Sequence, residues 1–245
     1  MTEIAAHRGG ALLWPENSRL AFENTARLAV EQVEFDVHFS ADRRLVVIHD
    51  AMLDRTTDGA GPVCEQSWDA LSRLIIKGTA GQRMLQFDEV IEIFRPTAIA
   101  LRIELKPGPG RVPYPGLPGA VIETLQRAGM LERSIVTSFQ LGSLREAAAA
   151  PRRVWLVTPD LQTDVAVAGL CQLARSAGVP ALGLRSNRLD AAIAAAVRAT
   201  GLGIGAWAVN DETTITRILD LGVDVFTTDR PDLALALRAS RRGRH

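Results

Sequence analysis

Cysteine is nearly missing: Cys64 and Cys171 are the only two in 245 residues. Two distant cysteines make no disulfide framework, and without a CxxC pair they do not mark a thiolate zinc site. Net charge is missing as well. Lys+Arg and Asp+Glu both number 28, so no global basic field marks a nucleic-acid binder. The one basic run, at residues 238–245, reads as a frayed, solvated tail. No apolar run approaches the roughly 18 residues of a membrane span. The opening MTEIAAHRGG has no long apolar stretch after a basic start, so it does not read as a secretory signal. These absences place the chain in a reducing cytoplasm, with neither nucleic acid nor a membrane span expected.

What is present is a core and a rhythm. The hydrophobic fraction is 47%, ordinary for a globular protein. The length of 245 residues is close to the about 250 of one (β/α)₈ barrel. Short apolar or β-branched runs alternate with Ala/Leu-rich stretches of helical spacing, the pattern of βα units around a parallel sheet. Eight strands are expected, at 4–6, 33–37, 99–106, 135–139, 154–157, 181–184, 204–209 and 225–228. A short extra strand is expected at 45–48. Helices are expected near 18–31, with Asn17 or Ser18 as N-cap, and near 87–94, 117–128, 191–200 and 212–221. Residues 51–86 carry turn signals and no strong strand, and read as a long excursion on one face. The whole of 1–245 is thus expected to be one closed barrel domain. A doubly wound open sheet is the alternative, weakened by the lack of a Gly-rich turn after the first strand.

A barrel enzyme keeps its site at the C-terminal ends of the strands, so polar residues there are the candidates. The first strand ends in His7-Arg8-Gly9, and the second carries Glu34 and Asp36. The extra strand ends in His49-Asp50, the third carries Glu104 and Lys106, the seventh Trp207, and the eighth ends in Thr228-Asp229. Residues two apart in a strand point to the same side, so Glu34 and Asp36 share a face, as do Glu104 and Lys106. Three carboxylates in one pocket repel strongly if left bare, and a hard divalent cation resolves the repulsion. An all-oxygen set suits Mg²⁺ or Ca²⁺ better than zinc. The plainer alternative, partnered charges on a solvated face, fits poorly with the apolar neighbours Val33, Phe35, Val37, Ile103 and Leu105.

His7 and His49 are two of only four histidines, and imidazole suits proton transfer near neutral pH. A lone histidine is commonly a satisfied structural group; these two stand beside Arg8 and Asp50 at strand ends. His38, two residues beyond Asp36, reads as supporting the site or as exposed rather than as a direct ligand. Arg8 and Lys106 supply positive charge suited to phosphate oxygens and to the charge they gain in a transition state. Trp207 serves equally as barrel core or as an apolar wall for a substrate.

His7-Arg8-Gly9, Pro15-Glu16-Asn17, Glu34-Phe35-Asp36-Val37, His49-Asp50 with Arg55-Thr56-Thr57, Glu104-Leu105-Lys106, Ala206-Trp207-Ala208-Val209-Asn210 and Thr228-Asp229-Arg230-Pro231 follow one another from residue 7 to residue 231. Each alone is weak. The ordered set resembles the glycerophosphodiester phosphodiesterase family over nearly the whole chain. The resemblance implies a TIM barrel with a small insertion after the second strand region. It implies one divalent metal ion, Mg²⁺ or Ca²⁺, on Glu34, Asp36 and Glu104, and His7 and His49 as the acid–base pair. It implies Arg8 and Lys106 as phosphate-contacting groups, with Glu16 and Trp207 joining them in substrate binding. The implied substrate is a small-molecule glycerophosphodiester, split into an alcohol and sn-glycerol 3-phosphate.

Some positions depart from the family pattern. Ser18 stands where threonine is usual, Arg43-Arg44 replace a turn that usually contains glycine, and Gln140 stands where an acidic residue is frequent. Arg102 faces the same side as Glu104 where a smaller polar residue is common. None removes a presumed catalytic residue, and all leave the alcohol open. The insertion overhangs the site and is the expected place for head-group selection. Two rivals remain: a phospholipase D-like enzyme for lysolipids on the same fold, and a non-catalytic barrel that binds a phosphorylated metabolite. The insertion, with Trp68, Leu71, Leu74, Ile75 and Ile76, shows no aromatic-rich patch for a bilayer. A dead barrel would lack metal ligands, and all three are present.

Overall fold

The computed structural model describes residues 1–242. Among these, the strands are β1 (Glu3–Ala6), β2 (Gln32–Phe39), β3 (Leu45–Val47), β4 (Leu85–Gln86), β5 (Ala100–Leu105), β6 (Ile135–Ser138), β7 (Arg152–Leu156), β8 (Ala181–Arg185), β9 (Gly203–Trp207) and β10 (Val225–Thr228). The helices are α1 (Arg19–Thr25), α2 (Trp68–Leu71), α3 (Phe87–Phe94), α4 (Leu117–Arg127), α5 (Leu141–Glu146), α6 (Pro159–Asp164), α7 (Val167–Ser176), α8 (Ala191–Ala199), α9 (Glu212–Leu221) and α10 (Pro231–Arg242). Every strand of the run β1-β2-β5-β6-β7-β8-β9-β10 pairs in parallel with the next. Because β1 also pairs in parallel with β10, the sheet closes into the (β/α)₈ TIM barrel that the alternating pattern predicts. Strand β3 pairs antiparallel outside the ring, against β2, and carries β4 on its other edge.

Strands covered on both faces read as continuous apolar runs rather than alternating ones, and all eight residues of β2 are buried. Outside the ring, Phe22 of α1 packs edge-on against Phe35 and Phe94. Inside it, Ala100, Ile135, Val154 and Leu156 form a small apolar floor. The insertion and the β3 segment share a separate core of Val46, Ile48, Leu53, Val63, Leu71, Ile76 and Met84. No helix among the described residues is long and apolar enough to cross a membrane.

Two expectations are corrected. The first helix ends at Thr25 rather than near residue 31, because Thr25 Oγ1 donates to Gly9 O at 2.8 Å and the buried Val30 turns toward β2. The basic tail is not frayed over 238–242: it is the last turn of α10. There Arg238 Nη1 donates to Thr2 O at 3.0 Å and to Glu31 Oε2 at 2.8 Å. The rest of the expected tail, 243–245, lies outside the described residues.

Candidate active site

The register of β2 against β5 sets the centre of the site. Asp36 stands opposite Glu104, and Glu34 opposite Arg102. Period-two alternation turns Glu34, Asp36, Arg102 and Glu104 into the barrel. Carboxylate oxygens of Glu34, Asp36 and Glu104 lie within 4.8 Å of one another, and all three residues are buried. Lys106, just past β5, sets Nζ 2.6 Å from Glu104 and 3.0 Å from Asp36.

Arg8 follows β1 with φ 49 and ψ 32, in the left-handed region that few side chains adopt without support. Support is present. Its N–H donates to Glu34 Oε2 at 3.0 Å, and its guanidinium lies 3.0 Å from Glu16 and 3.5 Å from Asp36. Asn17, also left-handed at φ 54, donates Nδ2–H to Asp36 Oδ2 at 2.9 Å. Asn17 Oδ1 is buried with no hydrogen-bond partner among the described residues.

Electrostatics pushes the carboxylates apart. Burial and the adjacent Asp36 charge hold Glu34 well above the ordinary carboxylate range. Burial would raise Asp36 too, but Lys106 and Arg8 drive it well below that range. This donor set fits a hard cation: it is all oxygen, closely spaced, and contains one carboxyl that burial keeps from ionising on its own. Glu34, Asp36 and Glu104 are the residues that would hold the ion.

The two histidines are built alike. His7 Nδ1 lies 2.6 Å from Asp229 Oδ1, and His49 Nδ1 lies 2.6 Å from Asp50 Oδ1. Asp50 is held at about 2, mainly by its hydrogen bond from Arg55, so it accepts only. Burial would raise Asp229, but His7 and Asn210 bring it below the ordinary range. Both imidazoles therefore donate Nδ1–H, which leaves Nε2 for other contacts; that of His7 lies 3.8 Å from Glu34 Oε2. For His7, burial opposes the charged form, yet Glu34 and Asp229 outweigh it and raise the pKa.

His38 is neither ligand nor exposed. It is buried, burial presses it down to about 4, and Nε2–H donates to His49 O at 3.1 Å. The Tyr114 hydroxyl sits 3.1 Å from its Nδ1. A neutral ring with one nitrogen on a carbonyl must accept at the other, so Tyr114 and His38 together brace the main chain of His49.

Among the expected substrate groups, Arg8, Lys106 and Trp207 line a pocket of about 230 Å³ with His7, His49 and Phe139. Trp207 forms its apolar wall, edge-on to Phe139 at 5.3 Å and anchored by Nε1–H to Gly183 O at 3.0 Å. Glu16 is not among the pocket residues. Its carboxylate is taken by Arg55, with two bonds of 2.8 Å, and by Arg8. An open groove of about 720 Å³ continues from the pocket past His49, Glu104 and Lys106 to Pro107, Arg111 and Gln140. The insertion's start gives this groove Asp50, Ala51 and Met52, and the Pro/Gly-rich loop after β5 gives it more. Sequence reasoning assigned no role to Asp229, Arg55 or Phe139, although Asp229 and Arg55 lie inside the ordered motifs.

The glycerophosphoryl diester phosphodiesterase family matches residues 7–233. A glycerophosphodiester phosphodiesterase of Bacillus altitudinis is 32% identical over 248 residues, spanning 97% of this chain and 98% of the relative. A solved structure from Agrobacterium tumefaciens, provisionally assigned as a glycerophosphoryl diester phosphodiesterase, is 39% identical, covers 99% of both chains and superimposes with a TM-score of 0.96. At 23% identity, an Oleispira antarctica phosphodiesterase in complex with the product sn-glycerol-3-phosphate shares the fold, with a TM-score of 0.85 over 98% of this chain and 97% of that one. With the ordered motifs and the barrel that carries them, the chain belongs to the glycerophosphoryl diester phosphodiesterase family.

Proposed function

We propose that this site hydrolyses glycerophosphodiesters to an alcohol and sn-glycerol 3-phosphate, with one divalent ion, Mg²⁺ or Ca²⁺, on Glu34, Asp36 and Glu104. The observation that carries the reading is the cluster of three buried carboxylates, two of which, Glu34 and Glu104, line one pocket together with two cations and two histidines. The name of the Bacillus altitudinis relative and the product held by the Oleispira antarctica enzyme support it. When bound, the ion would draw charge from the phosphate oxygens.

The chain's own groups divide the remaining work by position. Arg8 and Lys106 sit beside the carboxylates, where they neutralise charge that builds on phosphorus-bound oxygens. His7 lines the inner pocket and not the groove. Its Nε2 takes the proton of the attacking hydroxyl, either that of water or that on the neighbouring glycerol carbon, in which case water opens the resulting cyclic phosphate in a second step. His49 lines both pocket and groove, so it faces the departing alcohol. As the phosphorus–oxygen bond breaks, the His49 Nε2 proton goes to the leaving alkoxide. Glu16 holds Arg8 in place and does not touch substrate.

The test is turnover by protein stripped with EDTA and resupplied with Mg²⁺ or Ca²⁺ singly. Glycerophosphocholine, glycerophosphoethanolamine and bis(p-nitrophenyl)phosphate are the substrates. Metal-restored release of glycerol 3-phosphate from the two glycerophosphodiesters, and of p-nitrophenol from the chromogenic diester, both lost in Glu34→Ala, is expected. A second reading, lysolipid hydrolysis, draws on exposed apolar residues on this side of the barrel: Met52, 42% exposed in the groove, and Leu12 and Val112, each 63% exposed. Turnover of lysolipids with none of the soluble diesters would replace the first reading by the second.

A further inference from the structure

The barrel has a second opening, at the end away from the catalytic pocket. A pit of about 450 Å³ enters at the N-terminal ends of the strands, past Glu3, Gln32, Arg152 and Asp224. Ala181 and Gly205 line it with almost no side chain, which leaves the volume open. Arg102 lies at its inner end, 3% exposed, between this pit and the catalytic pocket.

A buried guanidinium ordinarily has a carboxylate partner. Arg102 has none among the described residues; its hydrogen bond is Nη1–H to Gln32 Oε1 at 3.1 Å. The carboxylates around it are engaged elsewhere. Glu34 accepts the Arg8 N–H, and Glu104 holds Lys106 at 2.6 Å. Glu3 accepts from Gln32 and lies 3.6 Å from Arg152. Asp224 Oδ2 accepts the Ile204 N–H at 2.7 Å. A guanidinium stays protonated throughout the physiological pH range. A fixed positive charge with unused donors thus ends an open pit.

We propose that the pit is an anion site, in which a small oxyanion, phosphate or carboxylate, takes the Arg102 donors that Gln32 leaves free, with Arg152 at the rim. Guanidinium pairs bidentately with both kinds of oxyanion. The pit falls within the roughly 300–1,000 Å³ usual for small-ligand sites. An anion there would give Arg102 the direct ion-pair partner that the surrounding carboxylates, Glu34, Glu104 and Glu3, do not provide.

The test uses metal-free protein at fixed ionic strength, titrated by calorimetry with inorganic phosphate and, separately, with acetate. Saturable binding by phosphate alone, or by both, supports the site and sets its ligand class. Affinity is expected to fall about tenfold or more in Arg102→Met. In Arg152→Glu it should fall about threefold, as for a rim charge, with kcat and KM for the diester unchanged. The exposed Arg152 keeps the test informative should Arg102→Met fail to fold. It also separates this pit from the catalytic pocket, which Arg152 does not line. Absence of saturable binding, or an affinity unchanged in Arg152→Glu, would overturn the proposal and leave Arg102 as a buried charge served by Gln32 alone.

Discussion

His7 and His49 share one design, an Nδ1–H held by an aspartate at 2.6 Å, and both line the catalytic pocket. Positioned acid–base groups contribute about 10²–10⁴-fold to rate. His7→Ala and His49→Ala are each expected to lower kcat by that order with KM changed only a few-fold. Residues that act as a unit are not additive, so the double variant should fall little further than the worse single. Steady-state kinetics on glycerophosphocholine would show it, and a His49→Ala enzyme within a few-fold of wild type would remove His49 from the proton transfers. The histidines, the three carboxylates and both cations were legible in the sequence because they punctuate apolar strands. Their partners were not. Asp229 lies 222 residues from His7 in sequence, and only barrel closure brings β1 beside β10. Glu16 was legible as part of a motif, but its capture by Arg55 and Arg8 depends on two loops meeting. Arg102 was legible as a departure; that it lacks a carboxylate depends on what every neighbour already binds.

At the scale of elements, the loop after β1 and the loop after β3 are joined by charge. Arg55 donates to Glu16 and, at 2.5 Å, to Asp50, while Arg8 takes Glu16 from the other side. Arg55 holds Asp50 at about 2. Burial would raise Glu16, but Arg55 and Arg8 bring it below its ordinary value. Carboxylates with a depressed folded-state pKa add stability above the unfolded range of about 4 and lose it as pH falls toward the folded value. Melting temperature should therefore hold above about pH 5 and fall toward pH 2. Arg55→Ala should lower it near neutrality and flatten that acid-side fall. The Arg55 side chain is 48% exposed, and exposed pairs are worth about 0–1 kcal/mol. The expected difference is thus a few degrees, from about 2–4 °C per kcal/mol at this chain length. Parallel melting curves for the two proteins across the acid range would exclude the cluster as a stabilising tie. The elements themselves were mostly legible: α3, α9 and β10 have the boundaries that apolar periodicity predicts. Strand β4 was not, because two residues are too few to show a period. The first helix was overextended because 26–31 keeps helical composition while Val30 is pulled into the barrel wall.

The whole molecule is one closed ring with an appendage, and the two are built to different standards. Every barrel strand has a parallel partner on each side, and first-to-last pairing leaves no open edge. Apart from the two-residue β4, strand pairing within the described insertion is limited to isolated bridges, Met52–Pro62, Thr57–Ile76 and Ile75–Arg83, and its small core is shared with the β3 segment. Local opening free energies run from near zero for weakly packed segments up to the global value for core strands. Amides of the insertion, Thr57 and Ile76 among them, should therefore exchange with solvent through a lower-energy opening than those of β1, β2, β5 and β10. Leu71→Ala removes a fully buried side chain, a change that costs about 2–5 kcal/mol in a packed core. It should speed exchange in the insertion while leaving the barrel amides near their wild-type protection. Native-state hydrogen exchange with mass-spectrometric readout decides it. If Leu71→Ala lowered protection equally in the insertion and in β5, the two would be one cooperative unit. Uncoupled exchange would mean that the loop carrying Arg55, and with it the grip on Glu16 and Asp50, can loosen while the carboxylates of β2 and β5 stay fixed.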